Sequence, residues 1–456
     1  MRIQQLEAGS VKYGYYTGDI QVANVKITEA AFNMVQYHTD HRYNIDYFAD
    51  KLQSGNKKAG GKTNISISEL QIINSQFTLE REDKKWDKRG MDYDHLRVKH
   101  INLLVRNIKA DGDAVHAGIK KLSADEQSGF ILSNLKGNVA YFPDHLEVKN
   151  LDILTPHSHV GNYIKFSYHS RAAIDDFIDS MTMNSTLTNS SVSFKDLHFF
   201  APTLLNKTDD VLLSATYSGT VSNMSVTGLD MLYGDSSHIK GKFTMKGLPF
   251  IGDTRINAKM LDSHTSIAAI EKLFPEAKMP KELNKFGQIH LSAIFTGYIN
   301  DFVAFGDFKT QLGNIKSDVN IKLNDDNSKS TYSGSIALND MDLFGLTGIK
   351  QLGRVTMNGS IKEGIGFTRQ SMRAIVDASI QHIDLNGYPF RNLTVNGKLA
   401  DEFFKGKLTA ADTNLHMIFS GGVNFRPAIP EFDFNASIAN ANLHALHISD
   451  DSLSVS

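Results

Sequence analysis

Residues 126–168 read EQSGFILSNLKGNVAYFPDHLEVKNLDILTPHSHVGNYIKFSY, and their rhythm decides the fold. Apolar and polar residues alternate in short runs, as they do along a strand whose side chains point to opposite faces of a sheet. Gly137 to Tyr141 forms one run, Pro143-Asp144 turns the chain, and Leu146, Val148, Leu151 and Ile153 carry the apolar side of the return. The phase slips at Asn150, where two non-apolar positions separate Val148 from Leu151, so a bulge or strand break is predicted there.

The same pattern extends in both directions. Toward the N-terminus, residues 18–27, 64–70 and 75–79 alternate as strands. Ile45, Phe48, Ala49 and Leu52 recur at helical spacing and predict a short helix, followed by a basic, Gly-rich loop over 54–62. The charged run 80–85 with Trp86 reads as an exposed turn. Toward the C-terminus, Gly219, Gly241, Gly334, Gly359, Gly397 and Gly406 read as glycines that open strands at irregular intervals. A solenoid or propeller would repeat at a fixed period, so antiparallel hairpins are expected instead. Residues 262–288 interrupt them: Ile267, Ile270 and Leu273-Phe274 are spaced as a helix, with Pro275 and Pro280 as stops.

Composition excludes several function classes. Lys plus Arg is 48 against 50 for Asp plus Glu, a net charge of −2, which removes the electrostatic case for nucleic acid. With no cysteine there is neither a disulfide framework nor a thiolate metal site. No run of about eighteen apolar residues occurs, so no helix long enough to span a membrane is predicted. The first sixteen residues lack a secretory signal and the last twenty stop in mid-pattern, so the chain reads as a piece of something longer.

Chemistry-bearing motifs are sparse. Among 17 histidines the close pairs are His38/His41, His157/His159 and His444/His447, none with the third ligand that zinc requires. Asp175-Asp176, Asp209-Asp210 and Asp325-Asp326 are paired carboxylates in loops, where turn formation explains them. No nucleophile elbow, phosphate loop or dinucleotide fingerprint occurs, so no catalytic residue, cofactor or metal is expected.

What remains is the apolar face. Each strand offers roughly two to four apolar side chains, each worth about 1.5–3 kcal/mol when buried. A strand left wet thus forgoes about 3–12 kcal/mol, comparable with the whole stability of a domain. Either a second sheet packs on that face, or the sheet curls into a trough occupied by something greasy. Burial alone favours the packed sandwich, and periodicity does not separate the two.

A resemblance points the other way. Gly129-Phe130, Leu132, Leu135, Gly137, Val139, Tyr141, Leu146, Val148, Asn150-Leu151 and Thr155-Pro156-His157-Ser158 resemble a segment of the TamB branch of the AsmA-like envelope proteins. Residues 289–318 are similar to another such segment, and the strand, short helix, linker and strand order of the first 80 residues resembles the N-terminal AsmA-like unit. The resemblance covers most of residues 10–325. It implies a mainly β fold, a long curled antiparallel sheet forming an elongated hydrophobic groove with a few short helices. Three regions follow: an AsmA-like unit over 1–120, a TamB-like groove with a helical insertion over 121–325, and its continuation over 326–456.

The resemblance also implies phospholipid transport between inner and outer membrane along that groove, linked to outer-membrane biogenesis and protein assembly. The implied partners are phospholipid acyl chains, an Omp85-class outer-membrane barrel, and the inner membrane through an anchor this chain lacks. The implied location is the periplasm. A stack of roughly twenty to thirty strands at about 4.8 Å would reach on the order of 100 Å. Val139, Tyr141, Leu146, Val148, Leu151, Ile153, Ile289, Leu291, Ile336 and Leu338 are the expected lining. On this reading Val148→Asp or Leu291→Asp sheds lipid without unfolding. The alternative is a structural or adhesive β-sandwich scaffold of the envelope with a dry core; a carbohydrate-active enzyme ranks last.

Overall fold

The computed structural model describes residues 2–16, 19–38, 42–47, 64–86, 90–169, 176–274, 279–427, 429–449 and 454–455. The chain is mainly β with a few short helices, and it divides into two units, Met1–Gly234 and Asp235–Ser456.

In the first unit two short strands, Gln5–Ala8 and Val11–Tyr13, precede β1 (Ile20–Thr28), β2 (Ala31–Gln36) and β3 (Ile65–Arg81). Then come β4 (Arg97–Asp111), β5 (Ala114–Glu126), β6 (Asn134–Phe142), β7 (His145–Leu154) and β8 (His159–Ser167). β9 (Thr182–Ser193), β10 (Asp210–Gly219) and β11 (Asn223–Tyr233) complete it. From β3 onward each strand pairs antiparallel with the next. The expected hairpin is present: His145 faces Phe142 across the Pro143-Asp144 turn, and Val148 faces Val139.

One pairing departs from the expected antiparallel meander. β3 lies parallel to both β1 and β2, with Ile20 opposite Ile65 and Ala31 opposite Gln76. Parallel neighbours need a crossover of a dozen or more residues, and positions 37–64 supply it. Within that crossover a helical turn at 44–47 is tied to β2, since Asn44 Nδ2 donates to the Asn33 carbonyl and Asn44 Oδ1 accepts from the Val35 N–H. The predicted continuation of this helix to Leu52 and the loop over 54–62 lie outside the described residues.

The second unit is a ladder of β12 (Ser237–Lys246), β13 (Arg255–Ser266), β14 (Gln288–Tyr298), β15 (Asp301–Lys309), β16 (Asn314–Lys322) and β17 (Thr331–Asp342). β18 (Leu352–Ile365), β19 (Arg373–Leu385), β20 (Tyr388–Ala400), β21 (Phe403–Asp412), β22 (Leu415–Asn424) and β23 (Glu431–Asn442) follow. Every successive pair is antiparallel.

Many strands carry a bulge built the same way. The predicted slip at Asn150 is one of them: its φ is 52° and the register shifts between Lys149 and Leu151. Asn74, Asn189, Asp262 and Asp340 also take the left-handed conformation, which Asn and Asp tolerate better than other non-glycine residues. A bulge leaves an N–H without a ladder partner. Here a short polar side chain on the next strand accepts it: Asn102 Oδ1 at 3.1 Å for Asn74, Ser214 Oγ at 2.9 Å for Asn189, Ser292 Oγ at 3.1 Å for Asp262 and Thr356 Oγ1 at 3.1 Å for Asp340. The residue after each is buried: Ser75, Leu151, Ser190, Ser263 and Met341. Each such device bends its strand and raises the local twist.

Several bulged strands run directly into short helices. β9 leads into α1 (Phe194–Leu197), β13 into α2 (Ile267–Leu273) and β17 into α3 (Leu343–Thr347). Ser266 caps α2 by accepting from the Ala269 N–H, and Asp342 caps α3 by accepting from the Gly345 N–H. Because β13 and β17 run the same way, α2 and α3 lie at one rim of their sheet. Residues 262–288 thus hold α2 and a 3₁₀ turn, Lys281–Phe286; residues 262–266 belong to β13, Pro280 precedes the 3₁₀ turn rather than stopping a helix, and Pro275 lies outside the described residues.

The glycines expected to open strands do not. Gly334, Gly359, Gly397 and Gly406 sit inside strands. At Gly334, where φ is 132°, a Cβ would lie 2.1 Å from the Asp318 carbonyl oxygen of the neighbouring strand, so only glycine allows that approach.

Candidate functional site: the apolar sheet face

In an antiparallel ladder, residues that face each other share a side of the sheet. Register therefore shows which side chains meet. In the first unit Tyr141 faces Leu146, Val139 faces Val148, and Leu135 faces Ile153. The bulge at Asn150 restores the phase, so Leu151 and Ile153 return to the face that Leu146 and Val148 occupy. All six predicted residues of this unit share one face. Val148 and Leu151 are buried, Val139, Leu146 and Ile153 are half-buried, and Tyr141 is 44 % exposed.

The four predicted residues of the second unit also share a face, and register reveals what surrounds them. One row runs across ten strands: Ala293, Gly306, Ser317, Ile336, Gly359, Ala378, Val395, Leu408, Phe419 and Ala436. The row beside it is Leu291, Phe308, Ile315, Leu338, Met357, Ile380, Leu393, Ala410, Met417 and Ile438. Nine interstrand steps of about 4.8 Å make each row roughly 43 Å long. The opposite face is mostly polar, with Lys316 paired with Asp307 at 3.2 Å and Lys322 with Asp301 at 3.4 Å, although Ile294 and Phe305 face each other exposed on it.

Coverage of the apolar face varies along the rows. Ile289 and Leu291 are 7 % and 8 % exposed, packed with Ala293 beneath Ile267 of α2, and Leu283 and Phe286 of the 3₁₀ turn close over them. At the other end Tyr388, Ala441 and Leu446 form a second closed cluster. There the Tyr388 hydroxyl donates to Asp412 Oδ1 at 2.6 Å, and burial together with that carboxylate pushes the phenol pKa up. Between the clusters Ala378, Leu393 and Ala410 are buried, but the rows are not sealed throughout. Ile315, Ile336, Leu338, Val395, Leu408 and Phe419 are all half-buried. On β23, Phe432 and Phe434 are 61 % and 48 % exposed.

The Thr155-Pro156-His157-Ser158 segment is a structural latch. The buried Asp196 of α1 accepts through Oδ2 from Thr155 Oγ1 at 2.5 Å, Ser158 Oγ at 2.6 Å and the His157 N–H at 3.2 Å. It clamps the β7–β8 turn onto the end of β9. The paired carboxylates that are described do similar work. Asp326 caps a turn by accepting from Ser328, which lowers its pKa, and Asp209 accepts from the Tyr233 hydroxyl at 3.2 Å. Burial, reinforced by Asp209, pushes Tyr233 up to about 12. Asp175 and His41 lie outside the described residues. Among the described residues no group of three or more His, Cys, Asp or Glu is gathered to hold a metal ion, and no helix is long and apolar enough to cross a membrane.

No family model, curated protein or solved structure matches the chain.

Proposed function

We propose that the half-open apolar face carries phospholipid acyl chains, and that the chain is part of a lipid-transfer bridge of the TamB-like kind. The observation that supports this is the pair of apolar rows crossing ten strands with most of their central side chains partly in solvent. An apolar strip of that length left to water is unfavourable by roughly 25 cal/mol for each Å² exposed. Fatty tails laid along the rows would remove it without demanding a matching protein surface.

Ile336, Leu338, Val139, Leu146, Ile153 and Tyr141 are the contact residues on this reading. Val148, Leu151, Ile289 and Leu291 lie beneath as support, because they are already buried. No catalytic step is assigned: the face shields acyl chains from water and so lowers the barrier to their transfer. The periplasmic setting, the inner-membrane anchor, the link to outer-membrane biogenesis and the outer-membrane barrel partner belong to the same proposal and rest on the resemblance of residues 126–168 and 289–318.

The dry-scaffold reading gains two observations, the closed cluster under α2 and the one around Tyr388, but these cover the ends of the rows and leave most of the span between them partly exposed. The deciding experiment is mass spectrometry of lipid extracted from the purified chain. Stoichiometric phospholipid, reduced in Ile336→Asp and Leu338→Asp variants that keep their β circular dichroism, supports the proposal. Lipid-free protein refutes it.

A further inference from the structure

Three histidines stand in a row on the polar face of the second unit. His238 on β12 faces His264 on β13, and His264 faces His290 on β14. Their ring centroids are 5.8 and 5.4 Å apart. His290 lies between Ile289 and Leu291 in an unbroken strand, so the row is on the side opposite the apolar rows and is independent of the lipid proposal. Lys309 faces His290 on β15, so the row ends in a cation rather than a fourth ligand.

We infer that this row binds a borderline divalent cation such as Ni²⁺, Cu²⁺ or Zn²⁺ through adjacent imidazole pairs, with water completing the coordination. Imidazole is the ligand these ions favour among the side chains present. A metal about 2.0–2.1 Å from two cis nitrogens holds the ring centres roughly 4.5–5.2 Å apart. Both observed spacings are within about 1 Å of that range, a gap that small side-chain rotations close. Three ligands do not converge on one point here, because the strands space the rings in a line. The site is therefore bidentate, and His264 is the member common to both pairs.

That sharing gives the test. Calorimetric titration of the full chain with Ni²⁺ should show one equivalent that disappears in His264→Asn and in the double variant His238→Asn/His290→Asn. Each outer single variant should keep that equivalent, weakened about twofold by loss of one of two pairs, whereas loss of chelation costs at least about tenfold. His157→Asn serves as a control and should change nothing at this site. Cu²⁺ bound to the unsubstituted chain should show two coupled nitrogens by electron paramagnetic resonance, which needs no variant to fold. Persistence of the equivalent in His264→Asn, its loss in an outer single variant, or single-nitrogen coupling would overturn the inference.

Discussion

Leu291 and Ile336 lie on the same sheet face, yet a charge at each should have very different consequences. Leu291 is 8 % exposed beneath α2 and the 3₁₀ turn. Replacing it with Asp forfeits about 1.5–3 kcal/mol of apolar burial and strands a carboxylate in a closed cluster, for a total of roughly 3–5 kcal/mol. Ile336 has Ser317 and Gly359 as its cross-strand neighbours and is half-buried. Its replacement by Asp should cost about 1 kcal/mol, half the transfer value. With a urea slope of about 2 kcal/mol per molar, the midpoint should fall by about 2 M for Leu291→Asp and about 0.5 M for Ile336→Asp. Lipid bound to the purified variants, counted by mass spectrometry, should drop for Ile336→Asp while its fold persists. Equal destabilisation by the two substitutions would mean that the centre of the rows is sealed, and the proposal would fail.

Other outcomes follow from single interactions. Asp196→Ala leaves Thr155, His157 and Ser158 without their common acceptor and should cost about 2–4 kcal/mol, read as lower thermal stability and faster amide exchange over residues 155–158. Asp340→Gly should be tolerated because φ is 53° there, whereas Asp340→Val should lose about 1–3 kcal/mol in chemical denaturation. Tyr233, at about 12 in the folded chain against about 10 unfolded, should contribute stability that is complete below pH 10 and lost as pH rises through 12. Several tyrosines titrate late, Tyr388 among them, and Tyr233→Phe should remove one equivalent from that late phase of the phenolate absorbance.

Local rhythm was enough to read the hairpin at 139–153, and even its bulge, because a side-chain period of two makes one extra residue visible as a broken phase. The parallel pairing of β3 was not legible: it depends on where a long crossover lands, which alternation does not encode. The glycines were misplaced for a related reason. Their value lies in a close approach between neighbouring strands, as between Gly334 and the Asp318 carbonyl, and such contacts exist only once register is set. The same holds for the apolar rows and for His238, His264 and His290. Those histidines are 26 residues apart in sequence (264 − 238 and 290 − 264), and only the strand pairing makes them neighbours. The apolar face was therefore visible residue by residue, but its continuity was not.

Photo-crosslinking tests that continuity most directly. A photoreactive phenylalanine analogue at Val395, within the first row, should form phospholipid adducts in protein purified from cells, while the same analogue at the adjacent Thr394, on the polar face, should form none. Equal labelling at both positions, or none at Val395, would contradict an acyl-chain path along the apolar rows.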